Sequence, residues 1–177
     1  MAIDVDTHRD PEGFPVDHPL DALKRDHDIV RRLFERYHEV PQAEDERQDI
    51  AREILLRLDR HMDMEETVLY PRVRSIDSEL VQQCEATHHQ TRNCMKPIRT
   101  MADSAEKSAA LLDLASMFDV HVELQEKQLF PLVMQSTLDL VRLGTDMQAF
   151  ELSQIAAEAP ALRSGQRPPG GGRANAA

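Results

Sequence analysis

Between Leu20 and Pro160 the chain carries one glycine, Gly144; the other five, Gly13, Gly165, Gly170, Gly171 and Gly172, lie outside that stretch. Sheet-rich domains need tight turns at short intervals, and those turns draw on residues that tolerate positive φ. So long a stretch with a single glycine is read as long helices with few connections. With 177 residues the chain has the length of one domain. Only 4% of it is aromatic and it has no Trp, so the packing between helices must come mainly from aliphatic side chains and Met.

Charge and apolar patterning narrow the partners. The formal net charge is −11, of which residues 1–18 carry −4, residues 159–177 carry +3 and the middle −10. An acidic body repels nucleic acid and anionic lipid, so neither is an expected partner. No apolar run approaches the roughly 18 residues of a membrane span. The start, MAIDVDTHRDPEGFP, lacks the basic head and apolar block of a secretory signal. Cys84 and Cys94 fall on one predicted helix about 15 Å apart, too far to pair. Two free thiols without a signal segment fit a cytoplasmic location.

Four segments repeat apolar residues at helical spacing. The first carries Leu20, Leu23, His27, Val30, Phe34 and Tyr37, and the second Ile50, Ile54, Leu58, His61, Glu65 and Leu69. The third carries Leu80, Cys84, His88, Thr91, Met95 and Ile98, and the fourth Leu111, Leu114, Phe118, His121, Gln125, Leu129 and Leu132. The expected fold is all-α, an up-down-up-down four-helix bundle over residues 19–143. An accessory short helix is expected over 144–159, with Asp146 to Ala157 as its amphipathic part, and Pro/Gly-rich disordered ends over 1–18 and 160–177.

The second and fourth segments are related. The stretch from His61 to Val73 aligns without gaps to that from His121 to Val133, with His, Glu66/Glu126, Leu, Pro and Val identical and Tyr70 matched by Phe130. His27 and His88 repeat at nearly the same offset, so the bundle reads as two pseudo-repeated helical hairpins.

Each apolar stripe contains one His. Alone, each could be an ordinary hydrogen-bonded core histidine. In an antiparallel hairpin, however, two residues share a height when their midpoint falls in the turn. The midpoints of His27/His61, His61/His88 and His88/His121 fall near residues 44, 74.5 and 104.5, all in polar predicted turns. Four imidazoles in one layer need a shared partner to avoid buried unsatisfied nitrogens. Glu65 lies one turn beyond His61 on the same face. Glu126, five after His121, is rotated by about 140° on an ideal helix and needs its long side chain or a local bend to bring it inward.

Imidazoles and carboxylates without thiolate suit first-row metals, iron above all, with Zn, Mn or Cu as alternatives. Six ligands exceed one tetrahedral Zn, and carboxylates on facing helices favour bridging two ions. Among the histidines of the apolar stripes, the ferritin-like Glu-x-x-His spacing occurs only at Glu85 and His88, because residues 58 and 118 are Leu and Phe.

The segments His61-x-x-x-Glu65-Glu66…Tyr70-Pro71 and His121-x-x-x-x-Glu126…Phe130-Pro131, with Leu-Lys-Arg-Asp-His27 before and Ala-Thr-His88 between, resemble the hemerythrin-like family of HHE cation-binding domains over about residues 20–135. The resemblance implies two non-haem iron ions, oxo- or hydroxo-bridged, inside a four-helix bundle. It implies His27, His61, Glu65, His88, His121 and Glu126 as metal ligands, with Glu65 and Glu126 as bridges.

The chain departs from hemerythrins proper, which place two His four apart on the third helix; here residue 84 is Cys and residue 92 is Arg. His89 points about 100° away from His88, while His8, His18 and His38 fall off the stripes. One His fewer leaves more open metal positions, which favours redox turnover of a peroxide, O2 or NO ligand over simple oxygen carriage. Catalase-like turnover is the enzymatic form of that expectation. The alternative is a binding module, an iron or oxygen sensor or an iron donor for Fe–S repair. Tyr37 and Tyr70 are read as core packing or hydrogen-bonded caps, and Pro71 and Pro131 as bending or ending the long helices beyond the metal layer.

Overall fold

The structure, a computed structural model, describes residues 16–39 and 44–164. Residues 1–15 of the expected arm, 40–43 of the first connection and the tail from 165 lie outside the described residues. No strand occurs among the described residues. Helices α1 (Pro19–Glu39), α2 (Glu44–Met64), α3 (Tyr70–Val73), α4 (Ser78–Ile98), α5 (Ala105–Leu124), α6 (Phe130–Gln135) and α7 (Leu140–Ser164) follow in order. A π turn, Glu65–Leu69, joins α2 to α3, and a second, Gln125–Leu129, joins α5 to α6. These pairs form single long rods, so the expected bundle is present: α1 packs on α2 and α5, and α4 on α5 and α2.

Local chemistry sets the helix starts. Asp77 caps α4 by accepting from the Leu80 amide at 2.9 Å, and Ser104 caps α5 by accepting from the Lys107 amide at 3.2 Å. Pro71 and Pro131 do not end their helices. Each follows a π turn in which Tyr70 N–H bonds the Glu65 carbonyl and Phe130 N–H bonds the Gln125 carbonyl. In a regular α-helix the proline ring would collide with the carbonyl four residues back; the wider turn relieves this. The extra residue also slips the apolar register, so Val133 is buried in place of Leu132, which is 38% exposed.

The core has two parts. One is built by Val30, Phe34, Ile54, Leu58, Leu114 and Phe118 among others. The other is built by Leu23, Leu69, Tyr70, Val81, Phe130 and Leu143 among others. The buried histidines belong to neither and lie between them.

The fifth helix is longer than the expected 146–157 segment and contains Gly144 instead of starting after it. It packs on the first π turn and α1, with Leu143 and Met147 buried. Gly144 answers to a close approach, because a Cβ there would lie 2.1 Å from the Val16 carbonyl oxygen.

Candidate metal centre

Side chains on a helix lean toward its N-terminus, so residues one turn apart on one face converge. His61 at the end of α2 and Glu65 at the start of the π turn do so, with His61 Nε2 3.4 Å from Glu65 Oε1. The other Glu65 oxygen lies 3.1 Å from His88 Nε2 on α4 and 3.4 Å from His121 Nε2 on α5. His27 on α1 closes the ring, its Nε2 3.2 Å from that of His61. Donor atoms of His27, His61, Glu65 and His121 all lie within 4.8 Å of one another. All five residues are buried, Glu65 with no exposure.

Outer partners turn three imidazoles inward. His27 Nδ1 bonds Glu126 Oε1 at 2.7 Å, and His88 Nδ1 bonds Glu66 Oε1 at 2.8 Å. The Thr87 hydroxyl donates to the Cys84 carbonyl, which leaves its oxygen to accept from His121 Nδ1–H at 3.0 Å. A ring whose Nδ1 carries the proton offers an Nε2 lone pair; those of His88 and His121 face Glu65, and that of His27 faces His61.

At His27, His61 and Glu65 the electrostatics favour neutral imidazoles beside an ionised carboxylate. Burial, together with the other rings, pushes His27 down to about 3 and His61 well below its ordinary value. Burial alone would raise Glu65, but His61, His121 and His88 hold it well below the usual carboxylate range. For His88 burial is outweighed by hydrogen bonds to Glu65 and Glu66, which raise it. Glu65 Oε1, His121 Nε2, His61 Nδ1 and Gln125 Oε1 are buried without a hydrogen-bond partner. Such orphaned atoms, three of them on the imidazoles and carboxylate that coordinate metals, fit a bound cation.

The six residues expected from sequence therefore divide. His27, His61, Glu65, His88 and His121 come together. Glu126 does not join them, because it follows the inward position by one residue; it is 29% exposed and holds the outer nitrogen of His27. The inward repeat-mate of Glu65 is Gln125, fully buried, whose Nε2 donates to the Tyr70 hydroxyl at 2.8 Å. Tyr70 in turn donates to Glu65 Oε2 at 3.0 Å and lies 3.2 Å from His88 Nε2. Its long phenol reaches back across the π turn, a contact hidden when distance is counted along the helix axis. Glu66 and Thr87 were also missed, although Glu66 is the repeat-mate identical to Glu126. Cys84, buried one turn before His88, has a thiol that burial and Glu65 push up to about 12. His18, His38 and His89 are exposed, and His8 lies outside the described residues.

The family described as Hemerythrin HHE cation binding domain matches residues 18–133. Among curated proteins, the uncharacterized protein Rv2633c of Mycobacterium tuberculosis is 24% identical over 136 residues, covering 73% of this chain and 82% of the relative. A Mycobacterium bovis counterpart matches to the same extent. The crystal structure of a Hemerythrin HHE cation binding domain-containing protein, the Rv2633c homolog from Mycobacterium kansasii, superposes with a TM-score of 0.68 at 23% identity. That superposition covers 82% of this chain and 91% of the other.

Proposed function

The chain belongs to the hemerythrin HHE cation-binding family, and from that premise we propose that it is a non-haem di-iron protein that binds or turns over peroxide, O2 or NO. The observation that carries this reading is Glu65, an ionised carboxylate with no solvent exposure that faces three imidazole Nε2 atoms at 3.1–3.4 Å. Lone pairs and a negative charge directed at one another in an apolar interior call for a cation. His27, His61, Glu65 and His121 would hold one ion. His88 and the second oxygen of Glu65 would hold the other, with Tyr70 and Gln125 alongside. Glu126 and Glu66 act in this reading as outer partners that orient His27 and His88.

Iron, when bound, supplies electrons to or accepts them from a small oxygen- or nitrogen-containing ligand. The chain supplies the rest. The Tyr70 hydroxyl, fed by Gln125, is a fixed donor beside Glu65 and His88. The rings of Phe118 and Phe130 lie 5.8 and 6.1 Å from that of His27 and keep water from that flank. The second position has a single imidazole, which leaves room for an external ligand. In the metal-free chain burial and Glu65 keep the Cys84 thiol protonated.

Protein produced in iron-replete medium should carry about two iron ions per chain, with a near-ultraviolet band that changes on adding peroxide, O2 or NO. Absence of stoichiometric iron overturns the reading. So does iron-loaded protein that neither consumes peroxide nor changes its spectrum.

A further inference from the structure

The two halves of the centre are closed to different degrees. On the α4 side Arg92, four after His88, covers the outer carboxylate, bonding Glu66 at 2.5 Å and Asp63 at 2.9 Å. Its counterpart on α1, four after His27, is Arg31, which turns away to pair with Asp119 at 2.8 Å. Lys127, next to Glu126, pairs with Glu123. Glu126 is thus left facing a surface groove of about 790 Å³ between α1 and α5, with Phe34, Ala115, Phe118 and Val122 on its apolar floor. Phe118 belongs to both places. It lines the groove, and its ring centroid lies 5.8, 6.2 and 6.1 Å from those of His27, His61 and His121. The corresponding residue of the other half is Leu58, buried in the core with no exposure. A second surface cavity, lined by Asp77, Gln83, Gln128 and Leu132 among others, is bounded by no residue of the centre.

We propose that the groove between α1 and α5 is the passage by which a small uncharged ligand reaches the centre, and that Phe118 is the wall that limits what can pass. This rests on reading the cluster as a centre for a small ligand. An apolar floor suits hydrogen peroxide less than O2 or NO, which carry no hydration shell to lose. The Arg92 cap makes the opposite side the closed one. Phe118 acts here as a specificity-determining wall; it touches the histidines and takes no part in bond making.

The test uses the full chain after metal removal, so that it does not depend on iron being the native metal. Diethyl pyrocarbonate is the probe, and modification of each histidine is followed by mass spectrometry. Phe118→Leu should accelerate modification of His27 and His61 by about tenfold, leaving His88 unchanged. Ala115→Phe, which fills the groove from outside, should slow the same two by a similar factor. Unchanged rates at His27 and His61 in both variants overturn the proposal. A parallel rise at all four buried histidines also overturns it, since that reports general loosening. Loss of the di-iron reading would appear instead as absent iron in the wild-type protein, with the histidine pattern intact.

Discussion

A metal-binding imidazole must present one nitrogen inward while the other is held, and here the holding groups are Glu66, Glu126 and Thr87. The Glu66 carboxyl is itself held down to about 2 by its hydrogen bond to His88 and by Arg92. Glu66→Ala should therefore leave the fold intact but free the His88 ring, weakening metal affinity by about 10–100-fold in chelator competition. The metal-free protein carries a second signature at this scale. His27 titrates at about 3 in the folded chain against 6.5 unfolded, because burial opposes its charge. Its folded value is the lower one, so below 6.5 the unfolded chain binds the extra proton. The His27 contribution is complete above that pH and is lost as the pH falls toward 3, with a limiting slope of about 1.4 kcal/mol per pH unit. His61 acts in the same direction, whereas His88, raised by its carboxylates, opposes them. Urea unfolding of metal-free protein between neutral pH and about 5 should show this loss, and His27→Phe should reduce its slope.

At the scale of elements, the two π turns decide what the apolar pattern could and could not reveal. Upstream of them, periodicity holds: Leu23, His27, Val30 and Tyr37 on α1, and Ile50, Ile54 and Leu58 on α2, are all buried. The turn midpoints also bring four histidines to one depth, and neighbouring rings lie 4.6 and 4.8 Å apart. A π turn inserts one residue without a compositional mark, which is why Leu132 was expected inside and Val133 is found there. The same insertion hid the reach of Tyr70, whereas the stripe itself already placed Gln125 inward and Glu126 about 140° from His121. Prolines at matching positions, Pro71 and Pro131, were the available signal for a departure from regular helix. Deleting Lys127, whose side chain is 69% exposed, removes the extra residue itself. A regular α turn over the shortened segment keeps Phe130 and Val133 on the core face but sets the Pro131 ring against the carbonyl four residues back, at a cost of about 3 kcal/mol. Urea unfolding should register that loss with little change in far-UV circular dichroism; unchanged stability would mean that the π turn does not serve to admit the proline.

For the whole molecule, the centre is one of several places where distant segments are tied. Gly144 lets the backbone at Val16 lie against α7. Gly144→Ala should lower the melting temperature even though alanine gains about 1 kcal/mol in helix propensity, because backbone must move to admit the methyl. At the other end of the bundle, Arg47 stacks on Tyr37, donates to Ser108 at 2.7 Å and lies 3.1 Å from Asp103. Tyr37 also donates to Asp103 at 3.3 Å. Lys107, 4% exposed, joins Gln48 at 2.6 Å to the Met101 carbonyl at 3.2 Å. Its burial is satisfied, so this clasp fastens α1, α2 and the α4–α5 connection and leaves no donor or acceptor aimed at a ligand. Arg47→Ala leaves the Asp103 carboxylate without its cation in a half-buried setting and should cost about 1–3 kcal/mol. Arg47 and His61 are separated by about 21 Å along α2, beyond the range at which substitutions ordinarily couple. Urea unfolding should therefore register the loss while the rate of metal extraction by a chelator stays at the wild-type value. Faster extraction would mean that the clasp sets the spacing of the histidine layer as well as the stability of the bundle.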